Sequence, residues 1–157
     1  MVFVVCPFLT LILYTAPFIL CYTYPFILYA LYMKSPIILY VEDDETIARL
    51  FERQFKMEDM PVHVARTGAE ARALLATGSP DIILLDISLP DIDGFELLKE
   101  LKSVPATKDI PVVILSNFTR EEDIEWGKKL GAARFVDKVS LQPSEIVDIV
   151  KEVLADK

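Results

Sequence analysis

From residue 37 onward, apolar runs of strand length alternate with amphipathic stretches of helical period. Ile37 to Val41 is a short run, β-branched and aromatic in part, of the kind that forms a buried strand. Glu45 to Lys56 places Ile47, Leu50, Phe51 and Phe55 near helical spacing. Residues 62–65 (VHVA) predict a second, weaker strand, and 68–78 a short helix closed by Gly78. A buried-type strand at 81–86 (DIILLD) leads through the turn residues Asp93 and Gly94 to a helix over 93–103. A further buried strand at 111–116 (PVVILS) precedes a helix at 119–131, whose acids come first and lysines last, as the helix dipole favours. Residues 133–138 (ARFVDK) predict a fifth strand, and 143–155 a final amphipathic helix.

Five strictly alternating β–α pairs imply an α/β fold, doubly wound, with a parallel sheet covered by helices on both faces. Ligands bind such sheets outside the carboxyl ends of the strands, where the strand order reverses. The polar residues ending each strand are therefore the candidates. They are Glu42 and Asp43 after the first strand, Asp86 after the third, Ser116 after the fourth and Lys138 after the fifth. With a strand order 2-1-3-4-5, the first and third strands are central neighbours, and three carboxylates converge with a hydroxyl and an ammonium to one side.

Crowded carboxylates repel one another, and a hard divalent cation offsets that repulsion. Mg²⁺ typically takes one or two carboxylates, keeps several waters and fills its shell with phosphate oxygens. An aspartate can act as nucleophile in phosphoryl transfer, giving an aspartyl-phosphate, and Asp86 is flanked by all the other groups. Lys138 can neutralise a phosphoryl oxygen, and Ser116 can donate a hydrogen bond to another. Asp44 and Glu45 read instead as the start of the first helix, where acids suit the positive dipole end. Ser116 also has an alternative reading, as a cap for the fourth helix.

IILYVEDDE (37–45), DIILLDISLPDIDGFELL (81–98), PVVILSN (111–117) and GAARFVDK (131–138) stand in this order, and together they resemble the receiver domain of response regulators in two-component signalling. The resemblance spans residues 36 to 156 and implies a flavodoxin-like (βα)5 fold. It implies Asp86 as phosphoacceptor, with Mg²⁺ held by Asp43, Asp86 and the Ser88 backbone carbonyl, and Glu42 assisting through water. Ser116 and Lys138 would hold the phosphoryl oxygens, and Phe135 would be the aromatic switch residue beside Ser116. The partners implied are a sensor histidine kinase or histidine phosphotransfer protein, and a target that reads the face made by the fourth helix, fifth strand and fifth helix. The phosphoryl lifetime would be tuned partly by Ser88 and Phe118. One departure is plain: the family usually follows the lysine with proline, and here Val139 follows Lys138. A cis bond before valine costs about 2.5–4 kcal/mol, so the loop is either trans or strained.

Composition changes the picture at the amino terminus. The net charge is −8, yet residues 1–33 hold no charged residue, and every charge lies from Lys34 onward. The apolar segment exceeds the ~20 residues a bilayer crossing needs, but Pro7, Pro17 and Pro25 interrupt it. It reads as a membrane anchor, as a start assigned upstream of Met33, or as another apolar appendage; residues 34–157 are the receiver-like domain. In an anchored chain, Lys34 favours the cytoplasmic side for that domain. Both cysteines, Cys6 and Cys21, fall in the apolar segment, and His63 is the single histidine, so neither a disulfide nor a zinc site is expected in the remainder. A cytoplasmic setting fits.

Several function classes drop out. No basic footprint suggests direct nucleic-acid binding, and neither GxxxxGK[ST] nor GxGxxG is present. A phosphatase built on Asp-x-Asp is disfavoured, because Ile87 and Ser88 follow Asp86. The expectation is a phosphorylation-dependent switch, catalysing only its own phosphorylation and dephosphorylation. It would act as a single-domain regulator or phosphorelay intermediate through protein contacts. The alternative is a degenerate receiver that binds partners without phosphorylation.

Overall fold

The computed structural model describes residues 35–117 and 120–156. The apolar segment 1–33 and Phe118 lie outside the described residues. The chain runs β1 (Ile38–Val41), α1 (Glu45–Met57), β2 (Val62–Ala65), α2 (Gly68–Thr77), β3 (Ile82–Asp86), α3 (Gly94–Ser103), β4 (Val112–Ser116), α4 (Glu121–Lys129), β5 (Arg134–Asp137) and α5 (Pro143–Ala155). The sheet is parallel throughout, in the expected order β2-β1-β3-β4-β5.

β1, β3 and β4 are buried at every position. That is why they read as continuous apolar runs rather than alternating ones: helices cover both faces. Successive side chains point to opposite faces. Ile38, Tyr40, Ile82, Leu84, Val113 and Leu115 therefore pack on one side with Phe51 and Phe55 of α1 and Ile146 and Val150 of α5. Leu39, Val41, Ile83, Leu85, Val112 and Ile114 pack on the other, with Ala71 of α2 and Leu97, Leu98 and Leu101 of α3. His63 is exposed on β2, the edge strand.

The helix starts are set by local hydrogen bonds. Asp44 is the N-cap of α1, accepting from the amides of Thr46 at 2.7 Å and Ile47 at 3.0 Å. Gln142 precedes α5; its amide donates to Glu145 at 2.7 Å, and Pro143 occupies the first turn, where no amide is required. α4 is shorter than the expected 119–131, because Arg120 is its N-cap and Leu130 already ends it. Ser116 therefore does not cap it. Gly78 follows α2 as expected but is extended, with φ −161°, a conformation open to any residue. Among the described residues no helix is long and apolar enough to cross a membrane.

Candidate functional site

The register brings the acids together. β1 pairs with β3 so that Val41 lies beside Leu85, which sets Glu42, just past β1, next to Asp86, the last residue of β3. Carboxylate oxygens of Glu42, Asp43 and Asp86 lie within 4.8 Å of one another. Glu42 and Asp86 are buried, whereas Asp43 faces solvent. Lys138 enters from the end of β5, where its amide donates to the Ser116 carbonyl at 3.0 Å. Its Nζ contacts Glu42 Oε2 and donates to Asp86 Oδ2 at 2.8 Å. Its side chain is 3% exposed, so this is a buried ion-pair cluster. Ser116 ends β4, buried, beside Asp137 in the register.

The charge balance indicates what fits. Three carboxylates and one ammonium leave a formal −2, on oxygen donors only. A small hard dication matches both the charge and the donor chemistry.

Tyr40 adds a group that sequence reasoning missed. It is fully buried on β1, and its hydroxyl donates to Glu42 Oε2 at 2.6 Å. Burial first, and then the Glu42 charge, push that hydroxyl far above the ordinary phenol range, so it remains a donor. The available signal was the two-residue spacing, which puts Tyr40 and Glu42 on one face of a strand. A tyrosine inside an apolar run conceals it.

The loop after Asp86 is held by backbone bonds. Gly94 and Leu89 donate to the Ile87 carbonyl at 2.9 and 3.2 Å, and Ser88 forms an isolated antiparallel bridge with Asp93. The Ser88 amide donates to Asp86 Oδ1 at 3.3 Å. Gly94 has no room for a side chain: a Cβ there would lie 2.4 Å from the Asp86 carbonyl oxygen. Asp93 caps α3 through Phe95 N at 2.7 Å.

Asp91 ties the far side of this loop to α2, accepting from Gly68 N at 2.8 Å and Ala69 N at 2.9 Å. Those amides, Gly68 first, hold its carboxyl below the usual range, and Arg72 adds to the effect. A folded-state pKa below the unfolded one means the charged form stabilises the fold above the unfolded pKa of about 4. That contribution is lost as pH falls through the depressed value. Asp91→Asn should therefore lower the urea midpoint at neutral pH, and its deficit against wild type should close below about pH 4. A constant deficit from pH 7 to pH 2 would show that the charge contributes nothing.

Val139, in the proline position, is exposed, and its amide donates to Asp137 Oδ1 at 2.9 Å. The Ser140 hydroxyl adds a bond to Asp137 Oδ2 at 2.5 Å. Among the described residues no peptide is cis. The loop is thus held in its trans form by a side-chain turn that proline, lacking the amide hydrogen, could not complete.

Phe135, on β5, is half-buried and lies beside Ile114 in the register. A Cβ on Gly127 of α4 would lie 2.9 Å from Ile114 Cδ1 and 3.2 Å from Phe135 Cδ2. The missing side chain lets α4 seat directly on the ring. Trp126, 51% exposed, lines a cleft with Phe95, Arg120, Asp123, Ser88 and Ser116, the last two belonging to the rim of the Asp86 site.

A family model described as the response regulator receiver domain matches residues 38–151. The response regulator PleD of Caulobacter vibrioides is 40% identical over 104 residues, covering 66% of this chain and 23% of PleD. The response regulator SaeR of Staphylococcus aureus is 32% identical over 117 residues, covering 74% of this chain and 50% of SaeR. The chain thus spans about a quarter and a half, respectively, of these relatives. Among solved structures, the receiver domain of a Francisella response regulator superposes with a TM-score of 0.71 at 30% identity, covering 78% of this chain and 98% of that one. The phosphorylated cyanobacterial phytochrome response regulator RcpA gives 0.66 at 36% identity, covering 76% and 91%.

Proposed function

The chain belongs to the response regulator receiver domain family, whose members serve phosphorylation-dependent signalling, and from that premise we propose that Asp86 is its phosphoacceptor. The observation that carries the reading is the buried Asp86–Lys138–Glu42 cluster, with Asp43 at its open side and Ser116 on the neighbouring strand end. A carboxylate oxygen of Asp86 attacks the phosphorus of a phosphohistidine on a sensor kinase or phosphotransfer protein. A P–O bond forms and the P–N bond breaks. The imidazole nitrogen leaves with the electron pair.

Asp43, Asp86 and the Ser88 carbonyl would hold Mg²⁺, with Glu42 assisting through water. When bound, the cation supplies charge neutralisation for the phosphoryl oxygens. Lys138 turns from Asp86 to one phosphoryl oxygen, and Ser116 donates to another. Hydrolysis of the acyl phosphate returns Asp86, so the chain processes only its own phosphoryl group. Movement of Ser116 opens room for the Phe135 ring, and the face of α4, β5 and α5 changes for a protein target. Residues 34–157 carry this chemistry on the cytoplasmic side.

Intact mass of the chain, incubated with MgCl2 and acetyl phosphate beside Asp86→Asn, tests the reading. The expected result is one Mg²⁺-dependent phosphoryl adduct, absent in the variant and retained in a chain begun at Met33. A folded wild type that binds Mg²⁺ but gains no adduct would favour a receiver that binds its partners without phosphorylation.

A further inference from the structure

Tyr40 lies at the centre of the sheet, fully buried, with its ring edge-on to Phe51 at 5.6 Å between centroids. A buried phenol is costly unless its hydroxyl finds a partner. Here the partner is Glu42 Oε2, at 2.6 Å, the same oxygen that Lys138 Nζ contacts. Nζ also donates to Asp86 Oδ2 at 2.8 Å. A continuous hydrogen-bonded chain therefore runs from the core to the phosphoacceptor: Tyr40, Glu42, Lys138, Asp86. Among the described residues, Glu42 Oε1 has only a long contact, 3.4 Å, from the Asp44 amide.

A phosphoryl group on Asp86 changes the demand on Lys138. Nζ is shared between two carboxylates, and its move toward phosphoryl oxygens weakens its hold on Glu42. Glu42 is 1% exposed, and a carboxylate buried without a donor is strongly disfavoured. The Tyr40 hydroxyl stays on Glu42 Oε2 through that change. Being neutral, it satisfies the oxygen without adding a positive charge that would oppose a dication.

We propose that Tyr40 is a positioning residue whose hydroxyl holds Glu42 and so frees Lys138 to follow the phosphoryl group. The inference rests on Asp86 as phosphoacceptor. Tyr40→Phe is the test, since it keeps the ring and its contact with Phe51 and deletes only the donor. Two effects of opposite sign are expected. Glu42 loses a donor that offsets its charge, so Mg²⁺ binds roughly two- to tenfold more tightly, the range of one net hydrogen bond. Lys138 becomes the main partner of Glu42, so phosphorylation at saturating Mg²⁺ slows by a similar factor, about two- to tenfold.

The measurements are calorimetric titration of the whole chain with MgCl2, and the rate of adduct formation from acetyl phosphate by intact mass. In a Glu42→Gln background the Tyr40→Phe change should lose most of both effects, the coupling expected of groups in one network. A core merely loosened by the substitution would weaken Mg²⁺ binding and phosphorylation together. That result, or no change in either, overturns the proposal. A wild-type chain that forms no adduct overturns the Asp86 reading instead, and the Mg²⁺ titration with its double-variant control still decides whether Tyr40 governs Glu42.

Discussion

Lys138→Met is expected to destabilise the fold by about 3–5 kcal/mol, the cost of leaving one side of a buried ion pair without its partner. Methionine is unbranched and only one heavy atom shorter, so it removes the charge and the donors while lost packing contributes little. What remains is Glu42 and Asp86, 1% and 5% exposed, facing each other with no cation between them. Both Nζ contacts end on these two carboxylates, so the substitution affects both at once. A loss of this size is large against a typical domain stability of about 5–15 kcal/mol. The urea midpoint reads it directly. Millimolar Mg²⁺ should recover more stability in the variant than in wild type, because a ligand that binds only the folded state stabilises by mass action. An unchanged midpoint would mean that the lysine does not neutralise the pair, and the charge-balance argument for the site would fail with it.

Gly94→Ala is expected to lower stability by about 1–3 kcal/mol or more, the range for overpacking a filled site. Alanine in a helix normally gains about 1 kcal/mol over glycine. Here the new Cβ would lie 2.4 Å from the Asp86 carbonyl oxygen and 2.6 Å from Ile87 Cα, both backbone atoms that cannot swing aside. Either α3 withdraws or the end of β3 moves, and Asp86 moves with it. The rate of adduct formation should therefore fall along with the thermal midpoint. An increase in stability, as in an ordinary helical glycine replacement, would show that α3 has slack at its start.

The sequence pattern reveals most of the architecture because the three central strands are buried on both faces. Such strands appear as unbroken apolar runs, and the polar residue ending each one marks the edge where the site forms. Asp44 and Glu45 are likewise recognisable as a helix start. The cross-chain bonds are much less visible. Lys138 reaches Glu42 from 96 positions away, and Asp91 reaches Gly68 across 23. Those separations acquire meaning only once the strand order is known. The expected length of α4 failed for a different reason. Acids at 121–123 and lysines at 128–129 suit a helix dipole without fixing its ends. Gly131, at φ 91°, lies beyond its last turn in the left-handed region. Asp137 has no signal of its own in the strand pattern, yet it holds the loop that carries Val139.

The bare patch at Gly127 has a consequence for local unfolding. Gly127 is the sole buried residue of α4, whereas α3 and α5 each bury four. Lifting α4 from the sheet therefore forfeits less apolar contact than releasing either of those helices. Free energies of local opening scale with the contacts broken, so α4 is the helix that can part from the sheet while the rest stays folded. The ring of Phe135, resting where a side chain would otherwise be, then acts as a latch on the least firmly held part of the domain.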